Sequence, residues 1–256
     1  MTFQPQLKKI ADFGSGEEWI ARTEMTMLDF LPFLRVDKSA EDVKANGTLK
    51  EAFDEKKEAA TGLAMAIAEE LGQAFIDLRR LRETKGVMPT EIEVSKAYRD
   101  LYGHLWAAYK GRFQDFMKLL EYNIHFIFDK DSKFDSLAAN FTVAHPNVNG
   151  ELIERVRSDR ATWHEALHTY RDDGEHNVKK PLFTGHPMHS LHTAEVIFSN
   201  TWHAIEDVFI HCMEEELGEQ LTIFEIPKER RDTMVPKKYA VGLRVDTATN
   251  QVLSRT

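Results

Sequence analysis

The sequence predicts a mainly α protein: an antiparallel bundle of long helices, closed by a short β-hairpin at the C-terminus. Three observations predict it. Apolar residues recur at spacings of three and four from Thr48 to Arg82 and again from Thr90 to Glu121. Gly86 and Pro89 fall in the short gap between these stretches, where a turn would reverse the chain. Only after Gly218 does the pattern change to short runs rich in β-formers, Leu221–Ile226 and Lys238–Val245.

The first candidate helix opens at Ser15-Gly16-Glu17-Glu18, which reads as a capping box, runs through Trp19, Ile20, Met27 and Leu31, and ends or kinks at Pro32. Residues 35–47, with mixed charge and Asn46-Gly47, read as a linker. The helix from Thr48 carries the stripe Leu49, Phe53, Ala60, Leu63, Ile67, Leu71, Ala74, Leu78 and Leu81. Its partner from Thr90 carries Val94, Ala97, Leu101, Leu105, Ala108, Phe116 and Leu119, and two such helices should pack antiparallel. Residues 122–149 read as an irregular, aromatic-rich connection (Phe126, Phe128, Phe134, Phe141, His145-Pro146-Asn147). Asn149 is placed to cap a third helix reaching about Asp173; Gly174, Pro181, Gly185 and Pro187 mark a loop; and a last long helix spans Ser190 to Leu217. Three segments follow: 1–47, an N-terminal helix and linker; 48–218, the bundle; and 219–256, a small β tail turning at Lys228-Glu229-Arg230-Arg231-Asp232. From Leu221 onward seven Lys/Arg stand against four Asp/Glu, a basic tail on an acidic chain.

A chain of 256 residues, 42% hydrophobic and 29% charged, can bury a real core. A formal net charge of −9 excludes nucleic-acid binding by the surface as a whole and leaves it to local basic clusters. The single cysteine, Cys212, sits in an apolar helical pattern and reads as a small buried hydrophobe; no intramolecular disulfide can form, which fits a reducing, cytoplasmic setting. Met1–Phe13 lacks the apolar run of a secretory signal, and no stretch approaches the roughly 18 apolar residues of a membrane span, so no membrane association is expected.

Two chemistries overlap at residues 160–176. His164-Glu165-Ala166-Leu167-His168 matches H-E-x-x-H, in which two histidines four apart on a helix bind zinc and the glutamate serves as general base. Eight of the eleven histidines lie between 164 and 211, so metal has to be weighed. On an ideal helix, however, Val156, Trp163, Leu167 and Tyr170 form the core stripe, and Arg160, His164 and Arg171 fall within about 40° of one another beside it. Two permanently charged guanidiniums beside the first ligand oppose a dication. No third ligand is defined either, because the extended pattern would fall on Arg171 and Gly174. Glu195 and Glu206 are candidate donors of a kind any helical protein offers. A second cluster, His186, His189 and His192 with His203, Glu206, Glu195 and Ser199 continuing the stripe, reads as a solvated or interface face that leaves local metal capture open.

The row of Arg160, His164 and Arg171 suits an anion better. Guanidiniums bind phosphate bidentately, a histidine moves protons near neutral pH, and Lys179 and Lys180 add positive potential. The segment Arg160-x-x-Trp163-x-x-x-Leu167-x-x-Tyr170-Arg171-Asp172-x-x-Glu175-His176, set between the last two long helices, resembles the HEPN superfamily, among its uncharacterised bacterial members. The resemblance covers about 60 residues, 150 to 213. It implies an α-helical homodimer that acts on RNA, with active members cutting RNA without metal in defence or toxin–antitoxin systems. By that resemblance Arg171 would hold the scissile phosphate, His176 would be general acid or base, and Asp172 would orient the arginine. Gly174 departs from a plain helix inside the motif, and Arg171 and His176 converge only if the chain bends there or a second subunit completes the site. The leading expectation is therefore an RNA-acting protein, a metal-independent endoribonuclease needing no cofactor. A zinc hydrolase built on His164, Glu165 and His168, and a non-catalytic helical scaffold with a protein partner, stay as alternatives.

Overall fold

The computed structural model describes residues 47–83, 90–148, 150–176, 190–217, 221–225 and 239–243, and these are mainly α. The N-terminal helix expected at Ser15–Leu31 lies outside the described residues. Helix α1 spans Gly47–Glu83. Helix α2, Glu91–Trp106, continues through π-helical turns at Ala107–Phe113 into α3, Gln114–Leu119, with helical backbone angles at both junctions. A 3-10 turn, Ile124–Ile127, leads to α4, Asp131–Ala144. Helix α5, Glu151–Asp159, runs through π-helical turns at Arg160–His164 into α6, Glu165–His176. The last helix, α7, is Leu191–Leu217. Strands β1, Leu221–Glu225, and β2, Tyr239–Leu243, pair antiparallel with Ile223 opposite Val241; the turn between them lies outside the described residues.

Helix α1 lies antiparallel to α2–α3. Lys56, early in α1, pairs with Glu121 just past α3, whereas Glu70, further along α1, meets His104 near the end of α2. The apolar stripes lock the two together: Ala60, Ile67, Leu71, Ala74, Leu78 and Leu81 are buried against Ala97, Leu101, Leu105, Ala108 and Phe116. Thr90 starts α2 by accepting a hydrogen bond from the Glu93 amide, while the Glu93 carboxylate accepts from the Thr90 hydroxyl, so a polar N-cap sets the register of the stripe. The helix stops at a Schellman turn. Tyr122 N–H donates to Met117 O, and Glu121 N–H to Lys118 O, with Glu121 at φ 74, a position that favours glycine. Lys56 bonds the Glu121 carboxylate at 2.9 Å, which helps hold the chain in that turn.

The segment read as irregular contains a 14-residue helix, α4. Its cap carries no side-chain signal: Lys130 occupies the N-cap and makes no side-chain hydrogen bond there. Its apolar face is Phe134, Leu137, Ala138 and Phe141, and Phe126 packs on both Phe134 and Phe141 with ring centroids 5.8 and 5.1 Å away. A second departure concerns Gly174, where a bend was one of two routes to a convergent Arg171 and His176. The backbone stays helical through Gly174 to His176. Asn149, the expected cap of the third helix, lies outside the described residues, and Gly150 occupies the N-cap.

Behind this face sits a buried histidine–glutamate pair. His145, just past α4, faces Glu215 near the end of α7 with Nδ1 to Oε2 3.0 Å, both side chains at least nine-tenths buried. Tyr122 stacks on the imidazole at 4.5 Å and Phe141 tilts against it at 4.8 Å. Removing the imidazole takes a hydrogen-bond partner from a carboxylate in a low-dielectric pocket. His145→Ala is expected to lower the unfolding free energy by about 3 kcal/mol in urea titrations at neutral pH. A change below about 0.5 kcal/mol would show that this pair does not clamp α7 to the end of α4.

Candidate functional site

The π-helical turns of Ala107–Phe113 and Arg160–His164 supply opposite walls of one aromatic cluster. A π-turn takes an extra residue, so side chains beyond it are rotated relative to an ideal α-helix. Trp163 and His164, adjacent in sequence, are both buried as a result. His164 lies among Trp106 (5.6 Å between ring centroids), Phe128 (5.7 Å), Tyr109 (6.0 Å) and Trp163 (6.0 Å). Burial, then the Arg160 guanidinium, then His168 and Lys110, push its pKa down to about 4, so the ring is neutral at physiological pH. Its Nε2 and the neighbouring Trp163 Nε1 are buried without a hydrogen-bond partner among the described residues. The sequence placed His164 on the helix surface; the structure puts it inside.

Arg160 explains much of this arrangement. Its guanidinium donates to the carbonyls of Phe126, Ile127 and Asp129 and to the Asp131 carboxylate, and it lies over the Phe134 ring at 5.1 Å. Those carbonyls close the 3-10 turn, and Asp131 opens α4. Arg160 thus ties the connection between α3 and α4 to the α5–α6 helix. The row of Arg160, His164 and Arg171 expected on one face is divided among three different surroundings. Arg160 holds backbone, His164 is enclosed by rings, and Arg171 is half-buried beside Asp172.

The half-exposed grouping lies on α6. Arg171 Nη1 donates to Asp172 Oδ1 at 2.8 Å, and the other carboxylate oxygen, Oδ2, faces His168 Nε2 at 3.4 Å. The His168 ring packs on Trp106 of α2, centroids 5.0 Å apart, and the Lys110 ammonium sits 5.0 Å from the centroid of the same indole. Next to Arg171, Tyr170 packs against the buried Tyr102 at 5.2 Å, which anchors this turn of α6 to α2. Asp172 therefore meets both its arginine neighbour and a histidine one turn back. The sequence carried the signal, since His168 and Asp172 are four apart on a helix, but H-E-x-x-H drew the same histidine into a metal reading.

The remaining sequence candidates separate as follows. Glu165 is exposed. The backbone of His176 ends α6, and its side chain lies outside the described ones. Lys179, Lys180, His186 and His189 lie outside the described residues. Among the described residues, no group of three or more His, Cys, Asp or Glu is placed to hold a metal ion, and no helix is long and apolar enough to cross a membrane. The two imidazoles of the H-E-x-x-H segment have dissimilar surroundings, one inside an aromatic cluster and one facing a carboxylate that also binds a guanidinium.

Two measurements probe this architecture. Arg160→Met is expected to cost about 3 kcal/mol of stability, because three carbonyls and a carboxylate lose their donor. It should also speed hydrogen exchange at the Phe128 amide, which bonds His125 O. Unchanged exchange there would remove Arg160 as the tie. The second measurement is pH-dependent stability. His164 is held at about 4 against an ordinary 6.5, so the stability of its neutral, buried form is present above pH 6.5 and lost as pH falls toward 4. Asp77 acts in the opposite sense. Its burial outweighs the attraction of His104 and raises its carboxyl to about 6, so its contribution is present below pH 3.8 and lost as pH rises through 6. The two oppose each other between pH 4 and 6. Asp77→Asn should unmask His164: from pH 7 to 4 its unfolding free energy should fall by about 2–3 kcal/mol more than that of the double variant Asp77→Asn/His164→Phe. Parallel profiles would show that His164 titrates alike in the folded and unfolded chain.

Compared with protein-family models, curated proteins and solved structures, the chain finds no match.

Proposed function

We propose that this chain is an RNA-acting protein of the HEPN-like kind, cutting a phosphodiester without a metal ion. The observation that carries the reading is the grip of Asp172 on Arg171 beside His168, on a half-exposed face of α6. A guanidinium carries its N–H donors in a planar fork whose shape matches phosphate. The pairing also fits the orienting role that the resemblance gives Asp172. Lys110, on the same indole as His168, adds a cation to this face of an otherwise acidic protein.

In this reading Arg171 binds the phosphate bearing the scissile bond and stabilises the charge that gathers on it in the transition state. Asp172 positions the arginine. His176 is the proton carrier that the resemblance supplies, and a second copy of the chain brings it to the phosphate. Five residues on a continuous helix place His176 about 140° around the axis from Arg171, so the two do not share a face of one α6. A homodimer and an RNA substrate belong to the same proposal, as does a role in bacterial defence or toxin–antitoxin systems.

The test is cleavage of single-stranded RNA in EDTA. Products ending in 2′,3′-cyclic phosphate are expected, with rates falling steeply as salt rises. Arg171→Ala should lower the rate at least about 100-fold, and His176→Ala should lower it comparably while leaving the thermal midpoint unchanged. Cleavage at the wild-type rate in both variants would discard the assignment. Loss of stability in Arg171→Ala, with no cleavage by the parent chain, would point instead to a structural ion pair on a non-catalytic scaffold.

A further inference from the structure

We propose that His168 is the general base of this site, held by Asp172 in the tautomer that leaves Nδ1 free to accept a proton. The inference rests on the phosphodiester-cleaving reading above and goes beyond it by assigning a residue that the Arg171–His176 pattern does not contain.

The tautomer is inferred from which ring nitrogen the carboxylate faces. Asp172 Oδ2 lies 3.4 Å from His168 Nε2, and a carboxylate favours a ring N–H on the nitrogen it faces. In the neutral ring the proton then sits on Nε2, and Nδ1 carries the lone pair. Trp106 fixes the ring plane from the core side, 5.0 Å between centroids, and His168 keeps about half of its side-chain surface open to solvent. The same carboxylate binds Arg171, so the base and the phosphate-binding group are held through a single side chain. His164, the other imidazole on Trp106, is buried among four rings and is not placed to meet a substrate.

The step balances without a co-reactant other than water. The ribose 2′-hydroxyl gives its proton to Nδ1 while its oxygen bonds to the phosphorus of the phosphate held by Arg171. The bond from phosphorus to the 5′-oxygen breaks, and that oxygen takes a proton from His176 of the second copy. Water then carries the proton from His168 to His176, which restores both groups. The products are a 2′,3′-cyclic phosphate and a 5′-hydroxyl. Asp172 is a positioning residue, because it acts through His168 and Arg171.

The experiment combines cleavage with a spectroscopic readout on the full chain. In the wild-type protein, nitrogen-15 spectra of the imidazoles above pH 8 should show His168 protonated at Nε2, and Asp172→Asn should weaken that preference. His168→Gln keeps a donor toward Asp172 and should lose at least about 100-fold in cleavage rate, while its affinity for an uncleavable 2′-deoxy oligonucleotide stays within about twofold. His168→Gly should regain part of its activity when imidazole is added, a rescue that a merely structural histidine does not show. If the wild type cuts RNA and His168→Gln cuts it equally fast, the base assignment falls and the nuclease reading stands. If the wild type cuts no RNA under any of these conditions, both fall. A wild-type spectrum with the proton on Nδ1 overturns the assignment whatever the cleavage result.

Discussion

The grip of Arg160 on the chain between α3 and α4 is the interaction on which the candidate site depends. Three carbonyls and a carboxylate converge on one guanidinium, and the segment they belong to carries Phe128. Phe128 meets Tyr109 edge-on at 4.8 Å and Trp106 edge-on at 6.2 Å. Trp106 in turn supports His168, which faces Asp172, which holds Arg171. A charged group held against backbone thus sets the position of a half-exposed one some turns away, through packed rings with little freedom to move. Arg suits this task where Lys does not, because its planar fork can satisfy several diverging acceptors at once.

The π-helical turns belong to the same construction. Each widens its helix where the aromatic cluster needs bulk, so that Ala108 and Tyr109 on one side, and Trp163 and His164 on the other, are buried from neighbouring positions. Tyr109 is fully enclosed, and burial drives its hydroxyl far up from the ordinary tyrosine range, with Asp159 adding to the effect and Arg160 opposing it. His164 pays for the same enclosure with a ring nitrogen that lacks a partner among the described residues, and stays neutral. The charges in this region are therefore sorted by depth: neutral rings inside, Arg160 against backbone, and Asp172, Arg171 and His168 at the half-exposed edge.

The long helices were legible because their stripes are regular and Gly86 and Pro89 interrupt them cleanly; the buried positions of α1 and α2 follow the three-and-four pattern closely. Helix α4 was not legible, since Lys130 gives no capping signal and a stretch dense in phenylalanine hides its period. The site was legible only in part. Arg171 and Asp172 are identifiable as a pair from sequence, and the structure joins them. The fate of Arg160 and His164 was not, because a wheel of 100° steps assumes an unbroken α-helix and the extra residue of a π-turn displaces the phase where it matters. Nor can a wheel show that the carbonyls of 126–129 will come to lie beside Arg160, which is a tertiary fact.

Helical continuity through Gly174 changes what a single α6 can do. A glycine inside a helix costs about 1 kcal/mol relative to alanine, yet the helix persists there, so Arg171 and His176 keep their angular separation within one chain. Convergence within α6 has to come from residues three or four apart. His168 and Asp172 satisfy that condition at about 40°, whereas Arg171 and Asp172, as immediate neighbours, point about 100° apart and meet only because the arginine arm is long enough to fold back. The carboxylate is consequently the junction of two helix faces, one bearing His168 and one bearing Arg171. A shorter cation at position 171 could not make that return, and glutamate at position 172 would carry its oxygens one carbon further from the backbone. The chemistry ascribed to this face therefore depends on side-chain length as much as on charge.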